Sequence, residues 1–207
     1  MGAVILPVYM TDIRSFSAYE KEAMRILPED RRVKAERYRK REDRLLSICA
    51  GLLLYKILSV TSDTKMEYNA YGKPFLKNGK FFSLSHSGNY AFLAINDDVI
   101  GIDAERIRQR KDGVGERMFT LEEQLYAKKD DFSFFSVWTR KEAVVKALGT
   151  GLHTSFQSFD VLHSQLEIQD IHLFLATCPF NSEYVISSAS TQSVKIETVC
   201  INPSDIF

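Results

Sequence analysis

The sequence predicts an α+β fold in two similar halves, each made of helices and a small antiparallel sheet. Three observations lead there. Helix-like and strand-like segments fall in blocks instead of alternating strand by helix, which argues against a doubly wound parallel sheet. A polar, charged stretch from Arg106 to Gly115 parts the blocks near mid-chain and reads as a linker. The 207 residues are 45% hydrophobic, with 14 Phe and 9 Tyr, enough for one large core or two smaller ones sharing an interface. The division is drawn at 105/106, giving halves 1–105 and 106–207 with no strict sequence repeat between them.

Ala3 to Tyr9 reads as a first strand, and Ser17 to Leu27 has helical composition. Pro28-Glu29-Asp30, a proline with acids in a first turn, opens a further helix that runs, with room for a break, to about Leu58. That helix is basic at its start and apolar later (Leu45, Ile48, Leu52, Leu53, Ile57), so one end is expected exposed and the other buried. Tyr71-Gly72-Lys73-Pro74 is a turn signal. Three short strands follow, Phe81 to Ser85, Tyr90 to Ile95 and Val99 to Asp103, separated by hairpin turns at Ser87-Gly88-Asn89 and Asn96-Asp97-Asp98. Beyond the linker, Thr120 to Glu123 fits a capping box opening a helix that holds Leu121 and Leu125. A longer helix runs from about Phe132 to Leu148 and stops at Gly149. Phe156 to His163, Ile171 to Ala176, Glu183 to Ser190 and Val194 to Ile201 are rich in β-formers and are expected to be antiparallel strands.

Lys plus Arg and Asp plus Glu each total 27, so the formal net charge is zero, but the charges are segregated. Arg31 to Arg44 carries eight basic residues against three acidic ones, a segment that prefers anions. An anionic-surface or nucleic-acid binding module built on it is the rival reading; the rest of the chain offers no basic field and no recognised nucleic-acid module to support it. Cys49, Cys178 and Cys200 are odd in number and lack zinc-ligand or disulfide-framework spacing, so buried, inert thiols in a reducing compartment are expected. Ala3 to Leu6 is too short for a signal peptide, and no segment is long enough to span a membrane. The chain reads as cytoplasmic, without membrane attachment.

Four constellations carry chemistry. Gly101-Ile102-Asp103-Ala104-Glu105 closes a strand, where residues two apart share a face, so Asp103 and Glu105 set two carboxylates side by side. Such a pair repels unless a cation lies between, and hard oxygens with few protein ligands suit Mg²⁺ bound together with phosphates. Taken alone, two solvated acids are the commoner meaning. In Trp138-Thr139-Arg140-Lys141-Glu142-Ala143-Val144-Val145-Lys146, Glu142 and Lys146 share one helix face. That spacing usually marks a surface ion pair, but the apolar company here predicts a largely buried helix. Phe82-Ser83-Leu84-Ser85-His86-Ser87 brings hydroxyls and an imidazole to a turn, a set able to hydrogen-bond a phosphate. Tyr71-Gly72-Lys73-Pro74-Phe75 is by itself a turn with a lysine.

In this order and spacing, the four resemble the 4′-phosphopantetheinyl transferases of the Sfp type. That family is recognised by a Gly-x-Asp-x-Glu strand end and a later Trp-(Ser/Thr)-x-Lys-Glu-(Ala/Ser)-x-x-Lys helix, matched here by Gly101 to Glu105 and Trp138 to Lys146. Gly72 to Pro74, Leu84 to Ser87 and the turn Gly149 to Leu152 match as well, so the resemblance covers about Arg31 to Phe159.

The resemblance implies two α+β halves related by a pseudo-twofold with coenzyme A, the substrate, between them. It also implies Mg²⁺ (or Mn²⁺) held by Asp103, Glu105 and Glu142. A serine of an apo acyl or peptidyl carrier protein would attack the β-phosphate, releasing adenosine 3′,5′-bisphosphate. Glu142 is the candidate general base, directly or through a water on the metal, and Lys146 the group that neutralises or protonates the leaving phosphate. Arg31, Lys34, Ser47, Lys73, Ser85 and His86 fall at the family's coenzyme A positions, with Lys141 and Lys146 as further phosphate contacts. One departure is Leu46, where the family usually has an arginine just before the position of Ser47; Arg44 is the candidate substitute, although two residues back it is expected on a different helix face. Phe119, Leu121 and Leu125 lie where relatives dock the carrier, or else belong to the core. The length and two-half organisation imply a monomer.

Overall fold

A computed structural model describes residues 2–77, 79–109 and 113–207. The first block runs β1 (Val4–Asp12), α1 (Ile13–Phe16), α2 (Glu20–Ile26), α3 (Glu29–Glu36), α4 (Arg41–Leu58), β2 (Glu67–Tyr68), β3 (Pro74–Phe75), β4 (Phe81–Ser87) and β5 (Tyr90–Asn96). The second runs β6 (Ile100–Arg106), α5 (Val114–Met118), α6 (Leu121–Ala127), α7 (Asp131–Leu148), β7 (Gln165–Ile168), β8 (Ile171–Phe180), β9 (Tyr184–Ser190) and β10 (Val194–Cys200). The α+β class read from the sequence is the one observed. The helix expected from Pro28 to Leu58 is broken between Glu36 and Arg41. Of the Arg106–Gly115 linker, residues 110–112 lie outside the described residues.

Two four-stranded sheets form, in the orders β10-β1-β5-β4 and β6-β9-β8-β7, with β2-β3 as a separate ribbon. Each sheet turns one face to helices and the other to a shared centre. α1 to α4 pack on the first sheet through Leu27, Leu52, Leu53 and Leu93. α6 and α7 pack on the second through Phe119, Val144, Leu173 and Val185. Between the sheets lie Leu6, Val8, Phe92, Ile102, Ala104 and Ile186. β9 is therefore covered on both faces and buried along its whole length, which is why its sequence does not alternate.

Two strand expectations are corrected. The segment Val194 to Ile201 forms β10 but runs parallel to β1, from Val4 opposite Val194 to Met10 opposite Cys200. β9 has both edges occupied, by β6 and β8, so the next strand has no edge beside its predecessor and crosses to the first sheet. Phe156 to His163 is not a strand: a 3-10 turn spans Phe156–Ser158, and pairing begins only at Gln165. Phe156, Phe159 and Val161 are buried in the second core, so their apolar character serves packing instead of a ladder. The thiols also differ from expectation, since only Cys49 is buried, Cys178 is half-buried and Cys200 is exposed.

The line drawn after Glu105 runs through β6, which is hydrogen-bonded into the second sheet. β6 lies beside β4 of the first sheet, and α4 and α7 flank this seam. α7 is fixed at both ends. The Asp130 carboxylate accepts from Ser133 N at 2.7 Å at its start, and Gly149, at φ 72°, closes it in the left-handed region that favours glycine.

Candidate active site

A cleft of about 500 Å³ opens over the β4–β6 seam, between α3 and α4 on one side and α7 on the other, with the Tyr71–Pro74 turn at its end. It is lined by Arg31, Lys34, Ser47, Lys73, Ser85, His86, Asp103, Glu105, Glu142 and Lys146. Every residue selected from the sequence as catalytic, metal-binding or coenzyme A-binding is here except Lys141.

The acidic floor comes from β6 and α7. Asp103 and Glu105 share a face of β6, while Ala104 points the other way into the inter-sheet core. α7 can lie close because position 101 has no side chain: a β-carbon there would overlap the Ala143 carbonyl and the Ala147 amide nitrogen. Glu142 and Lys146, one turn apart, are thereby brought over the acids. The Lys146 Nζ lies 2.7 Å from Asp103 Oδ1 and 3.3 Å from Ser85 Oγ. Ser85 donates to Asp103 Oδ1 at 2.8 Å and accepts from Ala104 N at 3.2 Å as well as from Lys146, so its hydroxyl is saturated. The other oxygen of that carboxylate, Asp103 Oδ2, is buried without a hydrogen-bond partner among the described residues.

Burial, then repulsion from Asp103, with Lys146 opposing and Glu105 adding, pushes Glu142 up to about 7. Burial also raises Glu105 above the usual carboxylate range, against the hydrogen bond from Ser87. The three carboxylates line one cleft. They do not close on a point: among the described residues, no three acidic, imidazole or thiol groups are gathered tightly enough to enclose a metal ion.

The opposite wall is cationic. Arg31 is buried, donating from Nη2 to Ser47 O at 2.9 Å, and both its Nε and the Ser47 hydroxyl are buried without partners among the described residues. Lys34 stays largely exposed, yet burial of part of it and then the Arg31 charge hold its pKa below the lysine range. His86 opens to the cleft but is walled by protein; lost hydration, then Lys146, Lys34 and Arg31, keep its imidazole below its ordinary pKa. Lys73 is half-buried, its Nζ near Ile100 O (3.3 Å) and Ala147 O (3.4 Å), and burial lowers it to about 8. Asn69 sets that lysine in place. Its Oδ1 accepts from Tyr71 N and Lys73 N, and its Nδ2 donates to Gly149 O at 2.8 Å, tying the turn to the end of α7.

Lys141 is corrected. Its ammonium is fully buried 2.8 Å from Glu123 Oε2, donates to Phe156 O and Phe159 O, and sits over the Phe159 ring. One residue along a helix is a 100° turn, so a side chain adjacent to Glu142 does not share its face. The proposed docking trio also separates: Phe119 is core, whereas Leu121 and Leu125 are 78% and 69% exposed. Arg44 does not stand in for the arginine replaced by Leu46, because its Nε is paired with Glu20 at 2.7 Å. Nor is the basic segment one exposed stripe, since Arg31 is buried and Arg41 and Arg44 both meet Glu20.

Sequence reasoning missed Trp138 as cleft wall and Asn69 as the anchor of Lys73, and it read Ser87 as a phosphate donor where the hydroxyl donates to Glu105 Oε2 at 2.6 Å. The signal for Ser87 was present in Ser83, Ser85 and Ser87, hydroxyls at strand period on one face.

Known proteins align with this arrangement. The family described as "4'-phosphopantetheinyl transferase superfamily" matches residues 99–197, and that described as "4'-phosphopantetheinyl transferase, N-terminal" matches residues 15–98. The chain is 30% identical to the 4′-phosphopantetheinyl transferase Sfp of Bacillus subtilis (strain 168) over 186 residues, 81% of this chain and 82% of that protein. It is 30% identical to the 4′-phosphopantetheinyl transferase gsp of Aneurinibacillus migulanus over 141 residues, 63% of this chain and 60% of that relative's length. It is 38% identical to the 4′-phosphopantetheinyl transferase HetI of a Nostoc species over 101 residues, 42% of this chain and 43% of that protein.

Proposed function

The chain belongs to the 4′-phosphopantetheinyl transferase superfamily, and on that premise we propose that it moves the phosphopantetheine arm of coenzyme A onto a serine of an apo acyl or peptidyl carrier protein. One observation carries the reading: a single cleft joins three carboxylates to a cationic wall whose buried donors, Arg31 Nε and the Ser47 hydroxyl, lack partners among the described residues.

The donor set fits a hard divalent cation. Asp103 Oδ2 is an orphaned buried carboxylate oxygen, and Glu105 and Glu142 add oxygens on the same side. Mg²⁺ takes one or two protein carboxylates and completes its shell with water and substrate phosphate, so a loose trio suits it better than a closed cage. Asp103, Glu105 and Glu142 would hold Mg²⁺, or Mn²⁺, which bound there supplies charge neutralisation for a diphosphate.

Arg31, Lys34, Ser47 and His86 would grip the 3′-phosphate, and Lys73 and Lys146 the diphosphate. Ser85 reaches a phosphate only by releasing one of its present partners. In the transfer, the carrier serine Oγ forms a bond to the β-phosphorus while the bond to the bridging oxygen breaks. The serine proton passes to Glu142, directly or through a water, the one helix carboxylate that faces the two strand acids across the cleft. Adenosine 3′,5′-bisphosphate leaves, its new phosphate charge met by Lys146. Leu121 and Leu125 offer the carrier an exposed apolar edge on α6. The first half would thus hold the 3′-phosphate and the second supply the catalytic helix and carrier docking. No helix among the described residues is long and apolar enough to cross a membrane; the proposal keeps the expectation of a cytoplasmic monomer.

The test is intact mass spectrometry of an apo carrier incubated with the chain, coenzyme A and Mg²⁺. A gain of one phosphopantetheine, lost in Asp103→Ala and Glu142→Ala, is expected. Acyl and peptidyl carriers that all stay unmodified would refute the proposal.

A further inference from the structure

β6 has two edges, treated differently. One pairs with β9 backbone to backbone, from Ile100 opposite Ser190 to Arg106 opposite Tyr184. On the other, side chains of β4 take the place of a backbone ladder: Ile102 N, Ala104 N and Arg106 N donate to the hydroxyls of Ser83, Ser85 and Ser87 at 3.0, 3.2 and 3.0 Å. The three serines, two apart along the strand, stand in one buried row.

Two of the three rungs carry a second bond. Ser85 donates to Asp103 Oδ1 at 2.8 Å, and Ser87 donates to Glu105 Oε2 at 2.6 Å. At the Ser83 rung, the equivalent place on β6 is Gly101, which has no side chain. We infer that Ser87, with Ser85, is a positioning residue for the acid pair. Each accepts a β6 amide and gives its proton to the neighbouring carboxylate, so one oxygen of each acid is turned to β4 and held. The second oxygen is thereby left for another ligand: Asp103 Oδ2 has no hydrogen-bond partner among the described residues, and both acids line the cleft. The seam between the sheets and the geometry of the acids are then one structure: β4 cannot slide along β6 without turning both carboxylates.

This inference rests on the proposed cation site, and Ser83 supplies its control, because Ser83 accepts an amide but touches no acid. The probe is Mn²⁺, whose free ion is counted by electron paramagnetic resonance, titrated into the full chain with coenzyme A present. Melting temperature without metal and coenzyme A binding without metal are measured in parallel. Groups that orient metal ligands typically set affinity by tenfold or more, so Ser87→Ala should weaken Mn²⁺ binding at least about tenfold. Ser87→Thr, which keeps the hydroxyl, should bind close to wild type, and so should Ser83→Ala even where it melts as early as Ser87→Ala. Equal loss of Mn²⁺ binding in Ser83→Ala and Ser87→Ala would reduce the serines to a structural seam and overturn the inference. So would unchanged binding in Ser87→Ala. A wild-type chain that binds no Mn²⁺ overturns the cation site and the positioning role together, whereas wild-type binding with an indifferent Ser87 overturns the positioning role alone.

Discussion

Gly101 lies backbone to backbone against Ala143, so that a β-carbon on the glycine would overlap the Ala143 carbonyl oxygen and the Ala147 amide nitrogen. Neither obstacle is a flexible side chain, so Gly101→Ala must push β6 and α7 apart. That separation moves Asp103 and Glu105 away from Glu142 and Lys146. The expected outcome is a loss of about 1–3 kcal/mol in urea unfolding, typical of an overpacked core. Transfer, followed by carrier mass, should fall far more than tenfold in the still-folded variant. Near-normal transfer would mean that the close approach of strand and helix is not what assembles the site.

The Lys141–Glu123 pair is wholly buried at 2.8 Å, and Glu123 also accepts from Thr120 N and Val161 N. Removing one charge strands the other in a medium that solvates it poorly. Lys141→Met is expected to cost about 3–5 kcal/mol by chemical denaturation. The double variant Lys141→Met with Glu123→Gln should cost clearly less than the two single changes added. Coenzyme A affinity of folded Lys141→Met should equal wild type by calorimetry, and a large loss would return Lys141 to the cleft.

The local parts of the fold were legible. Period 2 put Asp103 and Glu105 on one face, spacing of four put Glu142 with Lys146, and Thr120 with Glu123 formed the expected capping box. The burial of Lys141 was legible too, since it continues the stripe Phe134, Val137, Lys141, Val144 at helical spacing, although the family resemblance pointed to phosphate. What stayed hidden was non-local. Nothing in Val194 to Ile201 distinguishes a parallel partner from an antiparallel one. Phe156 to His163 has strand composition because its side chains fill a core, while Lys141 Nζ and Glu123 Oε1 satisfy backbone groups that a ladder would otherwise pair. The seam between β4 and β6 escaped because serine hydroxyls, not backbone carbonyls, make it.

Glu142, pushed up to about 7 from an ordinary value of 4.5, makes stability depend on pH. Between those values the folded chain holds a proton that the unfolded chain has lost, so stability falls as pH rises through this window. Glutamine mimics the protonated acid. With chelator present, the melting-temperature difference between Glu142→Gln and wild type should be near zero at the acid end of the window. It should widen in favour of Glu142→Gln up to about pH 7 and then level off. A flat difference across that range would show that Glu142 is not held protonated.

Lys73 gives the opposite slope. Burial lowers it from 10.5 to about 8, so from pH 8 to 10.5 the unfolded chain binds more protons than the folded one. Stability attributable to this group therefore rises with pH across that window, and the full penalty of burying the charge applies below pH 8. Lys73→Met removes the charge, so its melting temperature relative to wild type should be most favourable below pH 8 and decline towards pH 10.5. An anion in the cleft reverses the account by giving the ammonium a partner. Coenzyme A should raise the melting temperature of wild type more than that of Lys73→Met, and its affinity should fall about tenfold in the variant, the scale of one charge-assisted hydrogen bond. Equal stabilisation of the two proteins by coenzyme A would place Lys73 outside the phosphate contacts, as a structural cap on the Ile100 and Ala147 carbonyls.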